Sequence, residues 1–207
     1  MFSPGWWANL GNGLWRVEGG PSKEHAKTKA MMFGAPDVWD ALMGKIAGIA
    51  AAYLEVQVAA GASAVQLFDS WAGACTPEDY RTHVMPYSAR VLSAAGGLGV
   101  PRIHFGVNTG SLLPLMAEAG ADVVGVDWRT PLDAAIPLVG GRAVQGNLDP
   151  TLVFAPTSVM TSRAAAIVEA GRAATGHVFN LGHGVIPDTD PGQLEELTRF
   201  VQELPVW

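Results

Sequence analysis

The sequence predicts an α/β protein built on a parallel sheet. Helical segments alternate with short, almost wholly apolar strands, and each strand ends in polar residues. Size agrees, since 207 residues can bury one sizeable core, hiding roughly 70% of the unfolded surface.

The elements follow in order. Residues 1–15 carry no charged side chain but hold three tryptophans and three glycines, in neither helical nor strand periodicity. They are set apart as an atypical N-terminal segment, either an edge strand with its loop or a boundary, with one domain over 16–207. Pro36 and Asp37 open a long helix, proline suiting the first turn and the carboxylate the positive end of the dipole. Trp39, Leu42, Ile46, Ile49, Tyr53 and Val56 predict its buried face, and Gly61 closes it. Ala64 to Ser70 is then a buried strand running into Asp69 and Ser70. The pattern repeats: helix 77–95 and strand 102–107, helix 111–119 and strand 123–128, helix 131–138 and strand 143–147, helix 157–174 and strand 177–181. A last helix spans 191–203. Five parallel strands of this kind suit an open doubly wound sheet or part of an eight-stranded barrel, and a complete barrel takes about 250 residues.

Composition narrows the function. Hydrophobic residues at 49% and charged residues at 15% exclude disorder, and the net charge of −6 argues against a nucleic-acid binder. The lone Cys75 excludes an internal disulfide framework and a multi-cysteine zinc site. The apolar run Ile46 to Leu54 is too short to cross a bilayer, and no basic stretch precedes an apolar one at the start. A soluble, single-domain protein of a reducing compartment is expected. Neither Gly-x-Gly-x-x-Gly after a strand nor Gly-x-x-x-x-Gly-Lys is present, which weakens a nucleotide-binding reading.

Working groups of parallel folds gather at the carboxyl ends of strands. Asp69-Ser70, Val107-Asn108, Asp127-Trp128, Asn147 with Asp149, and His183 all fall there. His183, between glycines, is sterically open to a ligand. Ser70 lacks a nucleophile-elbow context and reads as a hydrogen-bond donor. Asp69, Asp127 and Asn147 are candidate pocket-rim residues, each also explicable as a helix cap or turn former. No metal site is expected: His-x-His and His-Glu-x-x-His are missing. His25 and His83 fall on predicted helices facing solvent, His104 in a packed strand, His177 at a strand's first residue. Cys75 has no paired histidine and is not expected to act as a thiolate.

Four motifs carry a resemblance: Val17-Glu18-Gly19-Gly20-Pro21-Ser22-Lys23, Gln66-Leu67-Phe68-Asp69-Ser70-Trp71-Ala72-Gly73, Gln145-Gly146-Asn147-Leu148-Asp149-Pro150, and Phe179-Asn180-Leu181-Gly182-His183-Gly184 with Pro187. In order and spacing they resemble uroporphyrinogen decarboxylase, from about residue 16 to the C-terminus. The resemblance implies a (β/α)8 TIM barrel, here incomplete with about five parallel β/α units, in a cytoplasmic homodimer. It implies a carboxy-lyase of haem biosynthesis that takes carbon dioxide from the four acetate side chains of uroporphyrinogen III, giving coproporphyrinogen III without cofactor or metal. Ser70 falls on the family's substrate-binding position and His183 on the histidine at the pocket rim. Trp15 stands where the family has a tyrosine. The catalytic aspartate and arginine-rich loop belong to the family's N-terminal third and have no counterpart here, so no catalytic residue is assigned. The chain therefore looks like the C-terminal two-thirds of the family's chain, with its activity in isolation left open. Two alternatives are a non-catalytic association module of paired partial barrels, and a related zinc- and corrinoid-dependent methyltransferase, which the single cysteine disfavours. No nucleic-acid or membrane partner is expected.

Overall fold

A computed structural model of the chain describes residues 8–9, 17–19, 22 and 24–205. Its sheet is six-stranded and wholly parallel: β1 (Ala8–Asn9), β2 (Val65–Phe68), β3 (Arg102–Phe105), β4 (Val123–Gly125), β5 (Ala143–Gln145) and β6 (His177–Val178). All five strands expected from the apolar runs are present. The sixth, β1, comes from the atypical segment; the rest of residues 1–15, and Arg16 at the seam, lie outside the described residues.

Strand order decides between the two architectures. The strands neighbour one another in sequence order, β1 to β6, with no reversal. A doubly wound sheet needs a reversal point, so the order is that of a barrel wall. Curvature agrees: Gln145 Nε2, on β5, donates to Gln66 Oε1, on β2, at 3.3 Å. Two strands lie between them, so the side chains meet only across a concave face. Phe68 and Phe105 pack edge to face, with centroids 5.6 Å apart.

The helices cover the other face. They are α1 (Ala26–Gly34), α2 (Pro36–Ala59), α3 (Pro77–His83), α4 (Met85–Gly96), α5 (Leu113–Glu118), α6 (Leu132–Ala135), α7 (Thr157–Gly171) and α8 (Pro191–Glu203). Val65, Leu67, Val124, Val126 and Val144 join them in the main core. Leu148, Met160, Ala164 and Leu197 form a second cluster where α7 and α8 meet. Strand residues alternate between faces, so every second position belongs to the helices and the others to the concavity.

The structure corrects two helices. The segment 77–95 divides into α3 and α4 at Val84, because Pro86 lacks an N–H and its ring would strike a carbonyl in a continuous helix. Helix α2 buries Trp39, Met43, Ala47, Ala50 and Leu54, while Ile49 and Val56 of the expected face are 65% and 64% exposed. The helix is apolar nearly all round, so periodicity does not choose a face. Small Ala47 and Ala50 allow close packing, and Trp39 Nε1 is anchored on the carbonyl of His83 at 2.8 Å. By length and composition alone α2 would also cross a membrane.

At the amino end of the sheet, Arg102 grips Asp122. Its Nε and Nη2 donate to the carboxylate at 2.7 and 2.8 Å, its backbone N–H at 2.9 Å, and Nη1 reaches the Leu92 carbonyl at 3.1 Å. The pair joins β3 to β4 below the concavity.

Candidate active site

The register carries four polar residues to one level. Phe68, Phe105, Gly125, Gln145 and Val178 lie across from one another along the sheet. Two residues further along the respective strands stand Ser70, Val107, Asp127, Asn147 and Asn180. The ladder continues to that height, with Asp69 N–H donating to Phe105 O at 2.7 Å and Leu148 N–H to Asn180 O at 3.1 Å. With period-two alternation, this level lies on the concave side, above Phe68 and Phe105.

Three of the sequence-predicted residues come together. Asp127, 2% exposed, accepts from the backbone N–H of Asn108 at 2.6 Å, from its own turn through Arg129 N–H at 3.1 Å, and from Arg129 Nη1 at 2.9 Å. Asn147 donates through Nδ2 to the carbonyls of Asp127 and Thr130, at 2.9 and 2.7 Å, tying the loop after β4 to that after β5. Both are buried with their polar groups engaged, so neither offers a free group. His183 joins them through Trp128: the rings meet edge to face with centroids 5.9 Å apart. Gly182 makes this possible, because a Cβ there would lie 2.4 Å from the backbone nitrogen of Trp128.

Ser70 stands at the end of β2, half-buried, and its hydroxyl has no hydrogen-bond partner among the described residues. No direct contact links it to the Asp127 group; the sheet register relates them. Behind it the 3-10 turn 72–74 comes so close that a Cβ at Gly73 would lie 2.3 Å from the Val107 carbonyl. The loops after β2 and β3 are thereby held together.

Asp69 departs from the expected set. Its side chain turns to the helix side, 2% exposed, where Ser88 Oγ donates to it at 3.0 Å and His104 Nε2 lies 3.5 Å away. That last contact is an ion-pair distance without hydrogen-bond geometry, since Nε2 has no hydrogen-bond partner. As neighbours on one strand, Asp69 and Ser70 must face opposite sides, so Asp69 braces α4 instead of lining the concavity.

Other histidines sort by position. His104 is fully buried, as expected, with Nδ1 3.4 Å from the Met116 carbonyl. His25 is not solvent-facing: it precedes α1 in left-handed conformation, 8% exposed, against the edge of Trp71. His177 sits at the start of β6, its Nε2 2.7 Å from the Gly146 carbonyl, and burial lowers its pKa. Cys75 lines a small apolar cavity with Met32, Trp39, Met43 and Trp71, and burial pushes its thiol up to about 11. Among the described residues no cluster of three metal-ligating side chains occurs. Trp15 lies outside the described residues.

Sequence reasoning missed two features. Gln66 and Gln145 were polar positions inside apolar strands, a visible signal of a two-sided sheet. Arg129 gave none: its guanidinium lies 3.7 Å over the Trp128 ring while it bonds Asp127.

Known proteins agree with this architecture. The family model described as "Uroporphyrinogen decarboxylase (URO-D)" matches residues 15–204. A uroporphyrinogen decarboxylase of Nocardioides sp. (strain JS614) is 82% identical over 189 residues, 91% of this chain and 55% of that protein. One from Salinispora tropica is 59% identical, over 91% of this chain and 51% of its own length. The chain thus spans about half the length of the curated relatives it matches. A solved methyltransferase from Methanosarcina mazei superposes with a TM-score of 0.75 at 17% identity, covering 86% of this chain and 53% of that one, a likeness of fold. With the barrel-wall topology and a match running through every strand from β2 to β6, the chain belongs to the uroporphyrinogen decarboxylase family.

Proposed function

We propose that this chain supplies the wall of a uroporphyrinogen decarboxylase site spanning β2 to β6, working on the acetate side chains of uroporphyrinogen III. Membership of the family supports this chemistry. The observation that carries the reading to particular residues is the Ser70 hydroxyl, without a hydrogen-bond partner among the described residues, level with Asp127 and Asn147 over an aromatic floor. Loss of carbon dioxide from a pyrrole acetate leaves electrons that a protonated ring can accept, so the protein's task is positioning and charge complementarity. In this reading Ser70 donates to a substrate carboxylate or carbonyl oxygen, and Phe68 with Phe105 packs under the macrocycle. His183 closes the rim from the loop after β6, supported by Trp128. Asp127 and Asn147 hold the rim loops in register.

The reading extends to a cytoplasmic homodimer engaging neither nucleic acid nor membrane. The net charge of −6 supports the first exclusion, and the use of one face of α2 in the core supports the second.

The test is anaerobic incubation with uroporphyrinogen III, following the loss of carboxyl groups by chromatography of the oxidised products. It uses the chain alone and the chain mixed with the remaining part of the Nocardioides relative. Conversion in either, reduced at least tenfold by Ser70→Ala, supports the proposal. Failure of both to convert or bind a tetrapyrrole would overturn it.

A further inference from the structure

We infer that Arg129, held flat against Trp128, forms a carboxylate-binding subsite on the rim of the concavity, beside the loop that carries His183. The inference rests on the tetrapyrrole reading for the identity of its natural ligand, one carboxylate arm of a polycarboxylate macrocycle. The geometry on which it stands is independent of that reading.

Arg129 differs from a structural arginine in what it leaves unused. Only Nη1 is bonded, to Asp127 at 2.9 Å; Nε and Nη2 have no partner among the described residues, and the side chain is 47% exposed. Arg102, by contrast, has Nε, Nη1 and Nη2 all engaged and is 21% exposed. Trp128 covers one face of the Arg129 guanidinium at 3.7 Å, which fixes its plane and leaves unbonded N–H groups at its edge. A guanidinium held flat is suited to a carboxylate, which takes two parallel N–H groups at once. The aromatic wall also removes water from one side of such a pair and strengthens it.

Asp127 does not repel the incoming anion. Its carboxylate is buried, and besides the Arg129 guanidinium the backbone N–H groups of Asn108 and Arg129 are bonded to it. It acts as the positioning residue that aims the arginine. His183 flanks the subsite: it is exposed, has no hydrogen-bond partner among the described residues, and its ring meets the same indole edge to face. Being flanked by Gly182 and Gly184, it is open to a ligand from the loop side. The guanidinium grip is therefore built at the end of β4, next to the loop after β6.

Two titrations of the whole chain test this. In one, quenching of tryptophan fluorescence follows uroporphyrin III binding to wild type, Arg129→Gln and Arg129→Lys. In the other, nuclear magnetic resonance of the Trp128 indole and His183 imidazole follows added succinate. The expected results are about tenfold weaker porphyrin binding in R129Q, partial recovery in R129K, and saturable succinate shifts that R129Q abolishes. A smaller salt dependence in R129Q separates a lost anion contact from a loosened loop. Equal porphyrin affinity in wild type and R129Q overturns the subsite and leaves the tetrapyrrole reading standing. Succinate shifts without porphyrin binding preserve the subsite and overturn the tetrapyrrole reading. Neither response overturns both, and because wild type and R129K also report, a misfolded R129Q does not decide the matter.

Discussion

Two aspartate–arginine pairs bracket β4, one at each end, and they are built oppositely. Below the sheet, Asp122 and Arg102 are joined by a two-pronged contact, the aspartate 39% exposed and the arginine bonded through each of its nitrogens. Above it, the Asp127 side chain is 1% exposed and meets the Arg129 side chain through a single guanidinium nitrogen, while the arginine reaches outward over Trp128. At the amino end the cation is used up in joining β3 to β4. At the carboxyl end the carboxylate is used up and the cation keeps donors in reserve. The same two residue types, five positions apart on the aspartate side, thus separate an end of the wall where the cation is fully bonded from one where it keeps open donors.

Removing the buried carboxylate breaks the contrast most severely. Asp127→Ala orphans the Asn108 N–H and releases Arg129, so a loss of about 3 kcal/mol is expected by urea denaturation. Substituting Gly182→Ala drives a Cβ to within 2.4 Å of the Trp128 nitrogen and 2.9 Å of its Cα. Both are backbone atoms, so the loop must shift, at a cost of about 2 kcal/mol. Loss of the His183 ring's upfield or downfield shift from Trp128 would register the displacement. At the other end, Arg102→Ala should cost about 1–2 kcal/mol, less than Asp127→Ala, because its partner stays hydrated.

The two ends should also differ in acid. Hydrogen bonds from Arg102 hold the Asp122 carboxyl below its ordinary value of 3.8. A carboxyl depressed in the folded state contributes stability above its unfolded pKa and loses it as pH falls through the lower folded value. Wild type should therefore lose stability below about pH 4, and Arg102→Ala should show a shallower acid limb in denaturation midpoints measured from pH 5 to 2. The smallest effect belongs to Arg129→Gln. Its exposed side chain should change stability by under about 1 kcal/mol, so a larger loss would make it a fastening residue like Arg102.

The strands and their polar ends were legible because buried parallel strands are apolar runs that stop abruptly, as Val123 to Asp127 does. The alignment of Ser70, Asp127 and Asn147 at the carboxyl end of the strands followed from the same punctuation. Asp69 was misplaced by reading it as a pair with Ser70; the twofold period of a strand sends neighbours to opposite faces, and that rule was available from the sequence. The buried face of α2 was not legible, since a helix apolar all round leaves the choice to packing partners distant in sequence, such as the His83 carbonyl that receives Trp39. The disposition of Arg129 was hidden for a similar reason. An arginine beside a tryptophan reads as a solvated surface residue until its neighbour's carboxylate is known to be buried.

The Cys75 thiol has a chemical consequence of its own. With its pKa pushed to about 11, only about one molecule in ten thousand carries a thiolate at pH 7. The thiolate is the form that peroxide, disulfides and alkylating agents attack. The sole sulfhydryl of the chain should therefore react slowly with such reagents in neutral solution, and covalent joining of two copies through it should be slow even in air.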